Sequence, residues 1–157
     1  MVDSLLLPIR AADVEPRQRP SIYPEPFASR MVGRIKRVLG DRFNISSFGV
    51  NLVTLEPAGV SALFHRHAVQ DEFVFVISGE VTLVHDDGET IMRAGECVGF
   101  PHDGTAHCLV NRGSEPATYL EIGDRAPGDS ATYPRDDLVA EHDGKTWRFK
   151  HRDGTLY

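Results

Sequence analysis

The sequence predicts an all-β protein, a barrel or sandwich of short strands with an extended N-terminal arm and a short C-terminal extension. Three observations point there. Segments rich in β-branched and aromatic residues recur at short, regular intervals, separated by Gly, Pro, Asp and Asn turn signals. No stretch sustains the apolar period of an amphipathic helix. At 157 residues the chain fits one domain, long enough to close a barrel around its own core.

Taken in order, residues 1–30 carry Pro8, Pro16, Pro20, Pro24 and Pro26, a density that prevents regular helix and favours an extended arm lying on the body of the protein. MVGRIKRVLG (31–40) and FNISSFGVNLVTLEP (43–57) read as strands, ended by Gly40-Asp41 and by Pro57 to Gly59. From Glu72 an apolar run places Val74 and Val76 on the side of Glu72, and Phe73, Phe75 and Ile77 on the other, which predicts a strand covered on both faces. EVTLVHDDGETI (80–91) predicts a hairpin about Asp87-Gly88 with His85 at the surface, and CLVNRGSEPATYLEIG (108–123) a second one around Arg112 to Pro116. Beyond Gly123 turn signals dominate, with one short strand, TWRFKH, whose Trp147 and Phe149 share a face that anchors the tail. His142 and His151 read there as solvated loop residues.

The chemistry concentrates between Gly59 and Gly79. His65 and His67 are two apart, so in an extended strand both imidazoles project from one face and Arg66 from the other. Glu72 opens the next strand, facing back toward them. His107, at the start of a strand after the glycine-bounded stretch 95–104, is a fourth candidate ligand. Imidazoles with a carboxylate suit one divalent transition metal, Mn, Fe, Co, Ni or Zn, whereas calcium favours oxygen ligands throughout. The bland alternative is a set of ordinary strand and turn histidines. His102, in the PHDG corner, is the candidate proton-transfer group at the mouth of the site, with a loop histidine of no role as the competing reading.

These stretches carry a resemblance. Gly59, five residues, His65, one residue, His67, four residues, Glu72, six residues and Gly79 resemble the first cupin motif at each fixed position. Gly95, five residues, Pro101, two residues, Gly104, two residues, His107, three residues and Asn111 are similar to the second, with one extra residue between Pro101 and Gly104. Only residues 80–94 separate the motifs, as in small bacterial single-domain cupins. The resemblance implies a double-stranded β-helix, or jelly-roll barrel, over 43–125, preceded by the arm and first strand (1–42) and followed by an extension packed on it (126–157). It also implies a metal held by His65, His67, Glu72 and His107, with Glu72 a candidate catalytic base as well as a ligand, since in some cupins the matching glutamate works as a base. The reaction stays open, since the superfamily spans dioxygenases, isomerases, lyases, decarboxylases and non-catalytic binders.

Composition narrows the partners. A net charge of -6, from 17 Lys and Arg against 23 Asp and Glu, gives no electrostatic footprint for nucleic acid, and the short basic run RIKR (Arg34 to Arg37) reads as the solvated edge of a strand. LLLPI near the N-terminus is too short and Pro-broken for a signal sequence, no window has the apolar length of a membrane span, and two cysteines, Cys97 and Cys108, make no disulfide framework. A cytoplasmic protein is expected, with Cys108 as a small buried hydrophobe. The function expected is that of a metal-dependent enzyme on a small oxygenated or carboxylated molecule. A metal-containing binding or sensing module is the alternative. With Arg66 facing outward and no charged partner evident inside, the ligand is expected to be held mainly by the metal. The row Phe73, Phe75, Ile77 needs cover and predicts a homodimer.

Overall fold

The computed structural model describes residues 7–19 and 21–157, so the start of the arm, including the first two residues of LLLPI, lies outside the described residues. Twelve strands and a single helical turn follow the arm: β1 (Arg34–Val38), α1 (Leu39–Arg42), β2 (Phe48–Leu55), β3 (Arg66–His67), β4 (Glu72–Ser78), β5 (Glu80–His85), β6 (Gly88–Arg93), β7 (Cys97–Phe100), β8 (His107–Val110), β9 (Ala117–Asp124), β10 (Ser130–Tyr133), β11 (Leu138–His142) and β12 (Trp147–Lys150). All pairings are antiparallel, in sheets ordered β1-β2-β9-β4-β7, β6-β5-β8 and β12-β11-β10-β3. This is the jelly-roll arrangement that the resemblance implied.

The main core lies between the five-stranded and three-stranded sheets. Alternation along each strand sends Val53 and Leu55, Val74 and Val76, Val81 and Leu83, and Ala117 and Tyr119 into it, with Phe100, Leu109 and Met92. Full burial of a side chain such as Leu55 or Val76 contributes about 1.5–3 kcal/mol. A second cluster joins the arm to the C-terminal sheet: Tyr23, Phe27 and Met31 pack on Leu63, Ala131, Tyr133, Leu138 and Ala140, flanked by Trp147 and Phe149. Cys108 is buried against Phe64, Val84 and Ala106, as a small hydrophobe would be.

The structure corrects four expectations. The strand foreseen over 31–40 is shorter, ending at Val38 in the single turn of α1. The two-residue loop of the β5–β6 hairpin is Asp86-Asp87, closed by the pair His85–Gly88, one position earlier than expected. Residues 108–123 form no hairpin, because β8 pairs with β5 while β9 pairs with β2 and β4 in another sheet. Buried Asn111 holds that crossing: its amide donates to Leu55 O and Glu115 O, both at 2.8 Å, and its Oδ1 accepts from Gly113 N at 2.9 Å. The tail contributes three strands, with the ring of His142 against Trp147 and His151 bonded to Asp137 at 2.8 Å, so neither histidine is a freely solvated loop residue. The outer row of β4, for which cover by a second copy was expected, is open in the single chain, where Phe73 is 39% and Ile77 44% exposed.

Candidate metal centre

β3 and β4 deliver the first side chains. His65 lies in an isolated bridge to His107, and His67 is the last residue of β3, so the extended backbone turns both imidazoles to one side, while Arg66 is not among the residues lining the cavity there. Glu72, opening β4, points at them. His65 Nε2 is 3.7 Å from Glu72 Oε2, His67 Nε2 is 3.7 Å from Oε1, and His107 Nε2 is 3.0 Å from Oε2. Among the described residues, His65, His67 and Glu72 form a group whose ligand atoms lie within 4.8 Å of one another and which could hold a metal ion.

What lies behind each imidazole tests the fit. His65 Nδ1 donates to Leu63 O at 2.8 Å, His67 Nδ1 lies 2.6 Å from Asp129 Oδ2, and His107 Nδ1 is 3.3 Å from Thr105 O. With each Nδ1 directed at an oxygen, each Nε2 is left facing the Glu72 carboxylate. Three imidazole nitrogens about one anion call for positive charge between them, supplied by protons on Nε2 or by a metal ion. The donor set therefore fits a divalent transition metal. Phe100 stacks flat on His107 at 3.4 Å and Tyr133 on His65 at 6.0 Å, which restricts the rings.

Electrostatics follow from this enclosure. Burial acts to raise the Glu72 pKa, but hydrogen bonds from His107 and His65 and the charges of His65 and His67 hold it well below the ordinary carboxylate range. Burial acts to lower that of His67, and the bond to Asp129 with the charges of Glu72 and Asp129 raises it instead. Burial keeps the Tyr133 hydroxyl protonated, well above its usual range.

The group stands in a cavity of about 340 Å³. Its walls include residues that the sequence did not reveal. Asp129 lies behind His67 and is itself fully buried, with Oδ1 accepting from Val69 N at 3.0 Å and Gln70 N at 3.3 Å. Tyr133, Trp147 and Phe149 reach the cavity from the C-terminal sheet, and Arg17, Ser21 and Tyr23 from the arm. Arg34 and Lys36 also line it, so β1 is an edge strand, yet half of the RIKR run faces inward instead of toward solvent. Their spacing of two was the available signal. For Asp129, one acid in a Pro-Gly turn, there was none. His102 is placed elsewhere: its Nδ1 is 2.8 Å from Asp71 Oδ1, both side chains are more than half exposed, and it is not among the residues lining the cavity.

Comparison with known proteins agrees with this architecture. Residues 51–123 match the family model described as "Cupin domain". A sugar phosphate isomerase of the cupin superfamily from Silicibacter pomeroyi DSS-3 is 40% identical, with 96% of each chain covered and a TM-score of 0.90. A candidate sugar phosphate isomerase from Acidithiobacillus ferrooxidans is 27% identical over 90% of this chain and 98% of its own, at a TM-score of 0.73. A polyketide cyclase from Streptomyces resistomycificus, 18% identical over 76% of this chain and 79% of its own at a TM-score of 0.62, shares the fold. No curated protein matches the chain. The chain belongs to the cupin superfamily.

Proposed function

We propose that this chain is a metal-dependent cupin enzyme that isomerises a small phosphorylated sugar, moving a proton between adjacent carbons of a hydroxy-carbonyl unit. The observation that carries the reading is the ring of three Nδ1-anchored imidazoles around the Glu72 carboxylate, set in a cavity large enough for such a molecule. The names of the two more similar solved structures favour a sugar phosphate over the other small oxygenated molecules that cupins take.

In this proposal His65, His67, Glu72 and His107 hold one divalent transition metal, which when bound would act as a Lewis acid on the substrate carbonyl. Glu72 is also the carboxylate placed to accept a proton from the neighbouring carbon and return it. The Tyr133 hydroxyl, kept protonated by burial and hydrogen-bonded to Tyr23, lines the cavity with Trp147 and Phe149, which exclude water from that side. His102, outside the cavity, has no part in the transfer.

The test joins elemental analysis of the purified protein to aldose–ketose interconversion of sugar phosphates in deuterated water. Stoichiometric transition metal, with deuterium entering the carbon next to the carbonyl, is the expected result. Metal and ligand bound without exchange or turnover would make the chain a non-catalytic binding cupin. A protein with no metal affinity would overturn both readings.

We also propose a cytoplasmic homodimer. Among the described residues no helix is long and apolar enough to cross a membrane, and both cysteines are free thiols. Phe73 and Ile77 are exposed on the outer row of β4, with Phe75 half-buried between them, and among the described residues Tyr23, Phe27 and Met31 of the arm are committed to the C-terminal sheet and leave that row open. Light scattering is expected to give twice the chain mass, and a monomer at micromolar concentration would refute the dimer.

A further inference from the structure

Two positions beside Glu72 carry no side chain, although their backbone does not call for glycine. Gly49 pairs with Gly123 across β2 and β9, and Gly123 pairs with Glu72 across β9 and β4, so the row Gly49, Gly123, Glu72 crosses the sheet. All three line the cavity. Neither glycine has a positive φ, so an alanine there would not strain the chain. A Cβ on Gly123 would stand 3.4 Å from Asp71 O and 3.8 Å from Glu72 Cγ, and one on Gly49 3.7 Å from Arg125 Nε, without overlap. What the two glycines leave is room against the Glu72 carboxylate. Two residues along each strand, and so on the same face, the next row is Asn51, Glu121, Val74. Asn51 and Glu121 are direct cross-strand partners with Cβ atoms about 4.5–5.5 Å apart, and both line the cavity.

The charge of Glu121 is balanced, since Lys36 Nζ lies 2.9 Å from its Oε1 with both side chains three-quarters or more buried. An ionised carboxylate has acceptor capacity well beyond one ammonium contact. Among the described residues no hydrogen bond engages the Asn51 side chain, whose amide offers two donors and an acceptor. The guanidiniums nearby are occupied, Arg17 Nε with Arg19 O at 2.9 Å and Arg34 Nη1 with Ser61 O. An amide beside a charge-balanced carboxylate suits neutral hydroxyls, which donate to the carboxylate and accept from the amide. We infer that Asn51 and Glu121 recognise adjacent hydroxyls of an open-chain polyol laid over Gly49 and Gly123, with the reacting carbons of the same molecule against Glu72. The inference deepens the proposed function and rests on it for the identity of the reacting end. It names specificity residues for the hydroxylated chain of the ligand. It also gives β2 and β9 a share in holding a molecule that was expected to be held mainly by the metal.

The test is calorimetric titration of the full-length protein, as purified, with sorbitol 6-phosphate and with hexyl phosphate, a chain of equal length without the hydroxyls. Wild type, Asn51→Ala and Gly123→Ala are compared, with metal content measured for each. Wild type is expected to bind sorbitol 6-phosphate the more tightly. Asn51→Ala should weaken that binding about tenfold and leave hexyl phosphate unmoved, with metal content constant. Gly123→Ala, whose methyl group takes up space beside Glu72, should weaken both probes. Equal affinity for the two probes in wild type, binding of neither, or a loss in Asn51→Ala that is the same for both would overturn the inference. So would a Gly123→Ala protein that binds sorbitol 6-phosphate as wild type does. Should Gly123→Ala lose metal or fold, Asn51→Ala, which breaks no bond within the chain, decides alone. If Asn51→Ala selectively weakens sorbitol 6-phosphate but no sugar phosphate is turned over by wild type, the hydroxyl-recognition pair stands and the isomerase reading falls. If isomerisation persists with KM unmoved in Asn51→Ala, the pair falls by itself.

Discussion

His67→Ala is expected to reduce bound transition metal to background while the barrel stays folded. The variant removes one of three groups whose ligand atoms lie within 4.8 Å of one another, and it strands Asp129, whose Oδ2 would lose a partner at 2.6 Å. Two neighbouring variants calibrate the result. Asp129→Asn keeps every candidate ligand, but the native carboxylate accepts from Val69 N, Gln70 N and His67 Nδ1, and an amide offers one acceptor oxygen where two are used. With His67 no longer held in orientation, metal affinity should fall about 10–100-fold. Arg66→Ala, beside His67 in sequence but absent from the cavity wall, should leave metal content near wild type. Elemental analysis after dialysis against a fixed free-metal concentration, with circular dichroism as the check on folding, reads all three. Full occupancy in His67→Ala, or loss in Arg66→Ala, would remove the assigned orientation of this strand from consideration.

The second large effect is on stability. Gly79→Ala is expected to cost about 3 kcal/mol or more and to lower Tm by about 6–12 °C for a chain of this size. Gly79 has φ +74, and a Cβ there would stand 2.9 Å from both Ala117 Cα and Pro116 O, backbone atoms that cannot step aside without moving β9. The left-handed conformation alone costs an alanine about 1–2 kcal/mol, and the close approach adds to it. Gly95→Ala separates the two causes. Gly95 also has a positive φ, +90, but nothing lies within 4 Å of its added Cβ, so only the conformational cost of about 1–2 kcal/mol applies. Chemical denaturation of the pair decides the matter, and equal losses would show that crowding at Gly79 contributes nothing.

That contrast shows what a linear sequence can carry. Gly59, Gly79, Gly95 and Asn111 drew attention by spacing, although what surrounds Gly79 (Ala117 and Pro116) and what Asn111 holds (Leu55 O) are distant in sequence. The convergence of His65 and His67 was legible because alternation along a strand is a local rule. Asp129 was not, because it meets His67 through the β10–β3 pairing of Ala131 with His67, a contact between segments over sixty residues apart that no turn signal encodes. The hairpin expected over 108–123 failed on similar grounds. Arg112 to Pro116 do turn the chain, but which strands receive β8 and β9 is set by packing on β5 and on β2 and β4. The basic run in β1 reads identically whether Arg34 and Lys36 face water or a cavity, and the arm that closes over it is the deciding element.

The stretch that matches the family, 51–123, contains all four side chains gathered at Glu72, while Arg17, Tyr23, Arg34, Lys36, Tyr133, Trp147 and Phe149 of the surrounding wall lie outside it. The two parts are thus free to diverge at different rates. Mutations in the arm, β1 or the C-terminal sheet can reshape what the cavity admits without disturbing the cluster at its floor, so kinship across the barrel alone says little about which molecules two such proteins share. In this chain the arm, β1 and the C-terminal sheet supply a large part of that wall.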